Sequence, residues 1–268
     1  MAMNLADLTF DQWRSFESST ARSVAEKAAD AVDGRVTRCE TTEHLGSSFH
    51  RVRIERGGRE FALIPGGRVT VGFDLESWQP SPQQTAEYAE SLEEGFGYGL
   101  DLRSYLAQVL SPHRSVVLAT VLMVVEDEDL TESPADTPAA LAAQGLRMPS
   151  PDEWEHACGA GVNTLFRWGN DCPLDRMPFD CKAGPHKRLN AFGLRIAYDT
   201  YRAELSADTT VVHGGDGGEA ECGGYGFLLG WLPLATANRN PTMVDFAYGP
   251  DSREHRADHF STRPVLEL

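Results

Sequence analysis

The sequence predicts a mixed helical and stranded protein with much irregular chain. Three observations carry that expectation. Two segments open with helix-capping signatures, at Thr9 and at Ser150. Short runs of strand-like residues are bounded by glycine and turn residues. Glycine and proline supply 25 and 15 residues, many of them in the second half, so long irregular segments must be held there by specific hydrogen bonds.

Residues 7–33 read as helix. Thr9 and Gln12 fit a capping box, and Trp13, Phe16, Thr20, Val24, Ala28 and Ala31 recur at helical spacing up to Gly34. Strand candidates follow at 35–40, 49–55 and 60–64, with Arg56-Gly57-Gly58-Arg59 as a hairpin turn. Gly66-Gly67 reads as a turn between two strands. Pro80 and Pro82 open a helical stretch, 80–110, broken by Gly95, Gly97 and Gly99. Its core positions are Tyr88, Leu92, Leu102, Tyr105, Leu106 and Leu110, and it reads as a surface helical hairpin rather than a lid. The apolar run 116–125, interrupted only by Thr120, reads as buried strand. It is far shorter than the roughly 20 residues that span a bilayer.

An acidic connector at 126–132 and a short helix at 138–144 lead to the most informative segment. Ser150 caps a helix, Pro151 suits its first turn and Glu153 completes the capping box. Asp152, Glu153 and Glu155 set negative charge at the positive end of the helix dipole. Trp154, Ala157 and Cys158 form an apolar stripe, and Gly159 and Gly161 supply the stop.

A chain of 268 residues is one large domain or two small ones, long enough to bury a sizeable core. With 24 basic and 40 acidic side chains the formal charge is −16, which argues against nucleic-acid backbones and anionic membrane surfaces as partners. The N-terminus has no signal-peptide pattern, and a cytoplasmic location is expected. Five cysteines, Cys39, Cys158, Cys172, Cys181 and Cys222, lack zinc-type spacing and are expected to be reduced there.

The segment from Leu146 to Ala157, followed by Arg167-Trp168-Gly169-Asn170, resembles the hallmark of the formylglycine-generating enzyme (sulfatase-modifying factor) family. Ile64-Pro65-Gly66-Gly67-Arg68-Val69-Thr70-Val71-Gly72, Asn190-Ala191-Phe192-Gly193-Leu194, the glycine-rich run from His213 to Cys222 and Phe260-Ser261-Thr262-Arg263-Pro264-Val265 are similar to further segments of it. The resemblance covers about 63–268. It implies an α+β fold of the formylglycine-generating-enzyme type, a variant of the C-type lectin-like fold, with small antiparallel sheets, few helices and much irregular structure. Residues 1–62 are expected to pack as a helix and strands against this main domain, 63–268, with 80–110 as its atypical helical stretch.

The same resemblance exposes departures. Oxygen-using members of the family hold copper(I) with two cysteines five positions apart, because soft thiolates suit that ion. Cys222 matches the first, but Phe227 stands at the second position. The calcium-binding run of the family is replaced by Asp199-Thr200-Tyr201-Arg202-Ala203-Glu204, so Asp180, Asp199 and Glu204 offer only part of a set of six to eight oxygens. Copper and calcium are therefore implied by the family while their ligand motifs are incomplete, and no metal ligands are assigned. His255 and His259 read better as charged loop than as a metal pair. Arg263 reads as a structural hydrogen-bonding residue. Cys222 is a functional thiol or, slightly preferred, a small buried apolar filler. The glycine pairs around Asp216 read as tight turns rather than an anion cradle.

The candidate catalytic residues are Cys222, His213 and Asp216, and Tyr225, Trp231 and Arg239 are expected to line a pocket for a small molecule or peptide. The expected function is a divergent oxidoreductase acting on a thiol, amino acid or peptide without the usual two-cysteine copper site. The alternative is a noncatalytic ligand- or protein-binding module on the same fold.

Overall fold

A computed structural model describes residues 4–249 and 259–268. It is an α+β structure. The first half carries α1 (Phe10–Ser15), α2 (Ser18–Ala31), β1 (Arg35–His44), β2 (Ser47–Arg56), β3 (Arg59–Ile64), β4 (Gly67–Val71), α3 (Pro82–Glu93), α4 (Leu102–Val109), β5 (Arg114–Leu118) and β6 (Val121–Val124). The second half carries β7 (Glu128–Asp129), α5 (Thr137–Ala142), α6 (Pro151–Gly159), β8 (Ala203–Leu205), β9 (Val212–Gly214), α7 (Glu219–Gly223), α8 (Phe227–Trp231), α9 (Pro241–Tyr248), β10 (Phe260–Thr262) and β11 (Val265–Glu267).

The main sheet runs β1-β2-β3-β6-β11, antiparallel throughout. Its central strands are buried on both faces, so they read as continuous apolar runs. Phe61, Leu63, Leu122 and Val124 join a cluster with Val24 and Ala28 of α2. Ala62, Ile64, Val121 and Met123 join the opposite cluster with Trp154 and Phe192. Residue 62, the expected domain boundary, falls inside β3. The β7-β10-β8-β9 sheet is mixed, because β8 and β10 are parallel. Strands β4 and β5 form a separate ribbon.

Two sequence expectations need correction. The helix expected over 7–33 is two helices. Phe16 takes an extended conformation and Glu17 restarts the chain as the N-cap of α2. Thr20 and Ala31 are then exposed, and Ala21 and Ala25 are buried instead. The run 116–125 is likewise two strands in different sheets. Thr120 makes the break and is fully used there. Its hydroxyl donates to the Leu8 carbonyl and accepts from the Gly66 amide at 2.9 Å. Gly66 is required at this crossing, since a Cβ would sit 2.3 Å from the Leu118 carbonyl oxygen.

The stretch 80–110 is a helix pair, with Tyr88, Leu102, Leu106 and Leu110 buried and Leu92 and Tyr105 partly so. Gly97, Tyr98 and Gly99 all take positive φ in the turn between them. The Thr9 and Ser150 capping boxes are both formed. At the C-terminus of α6 the left-handed cap is Ala160, one residue before Gly161.

Candidate functional site

The segments that carry the family resemblance build scaffold. Helix α6 is buried along most of its length, and Trp154 has no exposed surface. Asn190 holds the end of this helix with its whole amide. Its Nδ2 donates to the carbonyls of Ala157 and Cys158, and its Oδ1 accepts from the amides of Phe192 and Leu194. In the turn 166–169, Trp168 stacks on Phe166 at 4.8 Å, and the buried Arg167 donates to the carbonyls of His186 and Arg188. Arg263 is fully buried and each of its five N–H groups has an acceptor. It forms a fork on Glu204 at 2.7 and 2.8 Å and donates to the carbonyls of Val124, Val125 and Arg195. Glu204 also accepts from the Trp154 indole at 2.9 Å, and the Trp154 ring stacks on His213 at 4.4 Å and 5°.

This arrangement disperses the six candidate residues. His213 is enclosed in β9, its Nδ1–H donating to the Asn238 carbonyl at 3.0 Å. Burial drives its pKa down to about 3, so the imidazole is neutral. Trp231 lies in the core against His186 and Trp168, with its indole N–H on the Arg176 carbonyl. Arg239 turns to α6 and pairs with Glu155 at 2.8 Å, beside Arg114. None of these three lines a cleft around Cys222. Sequence proximity did not reveal that β9, α8 and the loop before α9 point them to different places.

Cys222 is not a buried filler. It lies on α7, a short helix rather than a strand, and is exposed. Its sulfur meets the Tyr201 hydroxyl at 3.2 Å. The helix starts where Gly217 and Gly218 turn at φ 73° and 79°, as the tight-turn reading expected. All five cysteines are free thiols, and Cys158 sits in the core. The donor set around Cys222 does not fit copper(I), which needs a matched soft ligand where a phenol stands. Glu204 is spent on Arg263 and Trp154, and an Asp199 oxygen accepts from the Tyr201 amide, so these carboxylates do not converge on a calcium ion. Among the described residues, no three His, Cys, Asp or Glu side chains gather as a metal site. His259 lines a hollow beside Asp216, and His255 lies outside the described residues.

Asp216 and Tyr225 do share a cleft. Its walls include Tyr98, Tyr105, Glu219 and Asn238, and it encloses about 50 Å³. Asp216 and Glu219 also line an adjoining hollow of about 160 Å³ walled by Met243 and Phe246. Tyr225 stacks on Phe96 at 4.3 Å and donates its hydroxyl to Glu219 at 3.0 Å. The Asp216 carboxylate accepts from the amides of Gly218 and Ala220 at 2.9 and 3.0 Å. Burial nevertheless pushes its pKa up to about 6, and the nearby Glu219 charge adds to the rise. Asn238 is buried, and its equally buried side-chain oxygen has no hydrogen-bond partner among the described residues. Larger hollows of about 520 and 530 Å³ lie around Phe73 and His113 and around Phe179 and Tyr201. Among the described residues, no buried polar atom without a partner belongs to their lining. Volume alone therefore points elsewhere, while the chemistry points to the smaller cleft.

The sequence reading named Tyr105 only as core and missed Tyr98 and Asn238. Tyr98 had a signal, being an aromatic residue between two glycines, the composition of an exposed turn. Among the described residues no helix is long and apolar enough to cross a membrane. No family model and no curated protein matches the chain.

Proposed function

We propose that this chain is a divergent protein of the formylglycine-generating-enzyme type, a C-type lectin-like variant, that binds a small molecule or the side chain of a peptide without transforming it. The observation that carries this reading is the separation of thiol and cleft. Asp216, Glu219, Tyr98, Tyr105 and Tyr225 surround one recess, while Cys222 faces the Tyr201 hydroxyl. A thiol oxidoreductase needs its sulfur beside the substrate and a second redox partner within reach. Here the sulfur meets a phenol, and His213, a candidate catalytic residue, is sealed in the core.

The resembling motifs support the fold part of the proposal. Asn190, Arg167 and Arg263 each satisfy several buried backbone or side-chain groups and Ser150 caps α6, which gives those residue types at those spacings a structural reason. The experiment is a small-molecule fragment titration followed by NMR on the whole chain. Shifts are expected to cluster at Tyr98, Glu219 and Tyr225 and to survive Cys222→Ser. Stoichiometric copper or iron bound through Cys222, with oxygen-dependent oxidation of an added thiol, would overturn the proposal.

A further inference from the structure

We infer that the hollow between the loop 178–187 and the segment 198–201 takes a flat aromatic compound that carries one anionic group, a carboxylate or a phosphate monoester. This second site is independent of the recess beside Asp216, and either can fail without the other.

The use of charge singles this hollow out. The chain has only three lysines, and two of them, Lys182 and Lys187, line it. Arginine is the cation of every ion pair among the described residues, so neither lysine has a carboxylate within pairing distance. In a chain with 40 acidic side chains, that is a local excess of positive charge. Asp199 is the lining carboxylate, and it already accepts from the Tyr201 amide at 2.9 Å. The Lys187 ammonium donates to the Tyr198 carbonyl at 3.0 Å and lies 5.8 Å over the Tyr198 ring. Two of its three donors are left for a ligand. Lys182 is exposed, and its flexible four-carbon stem lets the ammonium swing over the mouth. An ammonium is a compact point charge that serves carboxylate and phosphate alike.

The walls are aromatic. Phe179 is 68% exposed beside Tyr201, with ring centres 6.0 Å apart and planes at 70°, and Tyr198 adds a third ring. An exposed phenylalanine gains from being covered. Glu221 ties the two sides together, accepting from the Phe179 amide at 2.8 Å and from the Thr200 hydroxyl. The hollow measures about 530 Å³, within the range of roughly 300–1,000 Å³ usual for small-molecule sites.

Each alternative guest uses only part of this. Inorganic phosphate would leave the rings wet. A neutral arene would leave both ammonium groups unmatched. A cation would meet two like charges against one carboxylate. The formal charge of −16 opposes anions at long range, but at about 0.15 M salt that reach is cut to about 8 Å.

Isothermal titration of the full chain at pH 7.5 and about 0.15 M salt tests this. The probes are naphthyl phosphate, naphthoate, naphthylmethanol, naphthylmethylammonium and inorganic phosphate. The two aryl anions are expected to bind saturably, and the other three are not. Lys182→Gln should weaken both anions about fivefold and Lys182→Gln/Lys187→Gln about twentyfold, while Lys182→Arg keeps the affinity. Phe179→Ala should cost about tenfold with an unchanged melting temperature, since that ring is exposed. The alcohol or the ammonium binding as tightly as the aryl anions overturns the charge assignment. Inorganic phosphate binding as tightly overturns the aromatic part. Aryl-anion binding that survives both Lys182→Gln/Lys187→Gln and Phe179→Ala overturns the placement. No binding of either aryl anion overturns the inference as a whole, whatever other fragments do at Tyr98 and Tyr225.

Discussion

Two regions of this molecule bury polar chemistry and treat it in opposite ways. Around Arg263 the guanidinium meets five acceptors, Glu204 receives two donors from Arg263 and a third from Trp154, and the cluster has almost no exposed surface. Around Asp216 the carboxylate receives two amides, yet the recess beside it is open and no basic side chain among the described residues lines it. A buried charge that is fully matched acts as a fastener. A set of acceptors left partly unmatched beside a cleft acts as a receptor. Both places bury a carboxylate, and the arginine that meets Glu204 has no counterpart among the described residues lining the recess of Asp216.

The largest effect should come from breaking the fastener. Arg263→Met leaves Glu204 buried against Trp154 without its counter-charge and takes a donor from three carbonyls, of which Val125 keeps the Arg195 amide, so urea denaturation should show a loss of about 3–5 kcal/mol. Adding Glu204→Leu should restore part of that loss. A single variant that unfolds like wild type would erase the distinction drawn between the two regions.

Acid attacks the same scaffold next. His156 and His213 are enclosed and neutral, with burial lowering their pKa to about 4 and about 3. Their ring N–H groups already donate to the carbonyls of Pro65 and Asn238, so a second proton has no acceptor on the other nitrogen. The unfolded chain binds these protons near pH 6.5 and the folded chain does not. Stability is therefore full above about pH 6.5 and falls as pH drops towards 4, by about 3 kcal/mol for each histidine. Asp216 works the other way. Its folded pKa of about 6 lies above the ordinary carboxylate value, so its own contribution to stability grows as pH falls from about 6 towards 4. Urea midpoints between pH 7.5 and 4.5 measure the sum, and the histidines should dominate. A flat profile would show that they gain protons without cost.

A smaller loss is expected at the capping box. Ser150→Ala removes the acceptor for the Glu153 amide and should lower stability by about 1 kcal/mol by the same denaturation measurement. At the receptor, Asn238→Leu should leave the melting temperature unchanged or slightly raised, because an unsatisfied buried oxygen is exchanged for an apolar group of similar shape. A marked drop would mean that the amide belongs to the fastener and not to the cleft.

Much of the fold was legible where local chemistry is strong. Thr9, Ser150 and the Arg56–Arg59 turn each determine their neighbours within four residues, and the structure has a helix or hairpin at each. The misses came from long-range demands. Nothing local says that Thr120 must leave a strand to serve Leu8 and Gly66, or that Phe16 must interrupt a helix so that α2 can lie against the main sheet. The site was less legible. His213, Trp231 and Arg239 have the residue types of an active centre, but the core and α6 claim them. Asp216 and Tyr225 were named for residue type and resemblance, and they share a recess because they border α7, a helix too short to carry them far apart. Asn238 went unnoticed because an asparagine shows its importance only when its partners can be counted.

The turn that carries Tyr98 has a consequence of its own. Gly97, Tyr98 and Gly99 are all left-handed, and a Cβ on Gly97 would strike the Tyr88 hydroxyl, which is itself anchored to the Leu100 carbonyl at 2.9 Å. Ordering of this rim is therefore completed when the chain folds. An incoming guest meets an edge whose main chain is already at its station and surrenders less disorder on arrival.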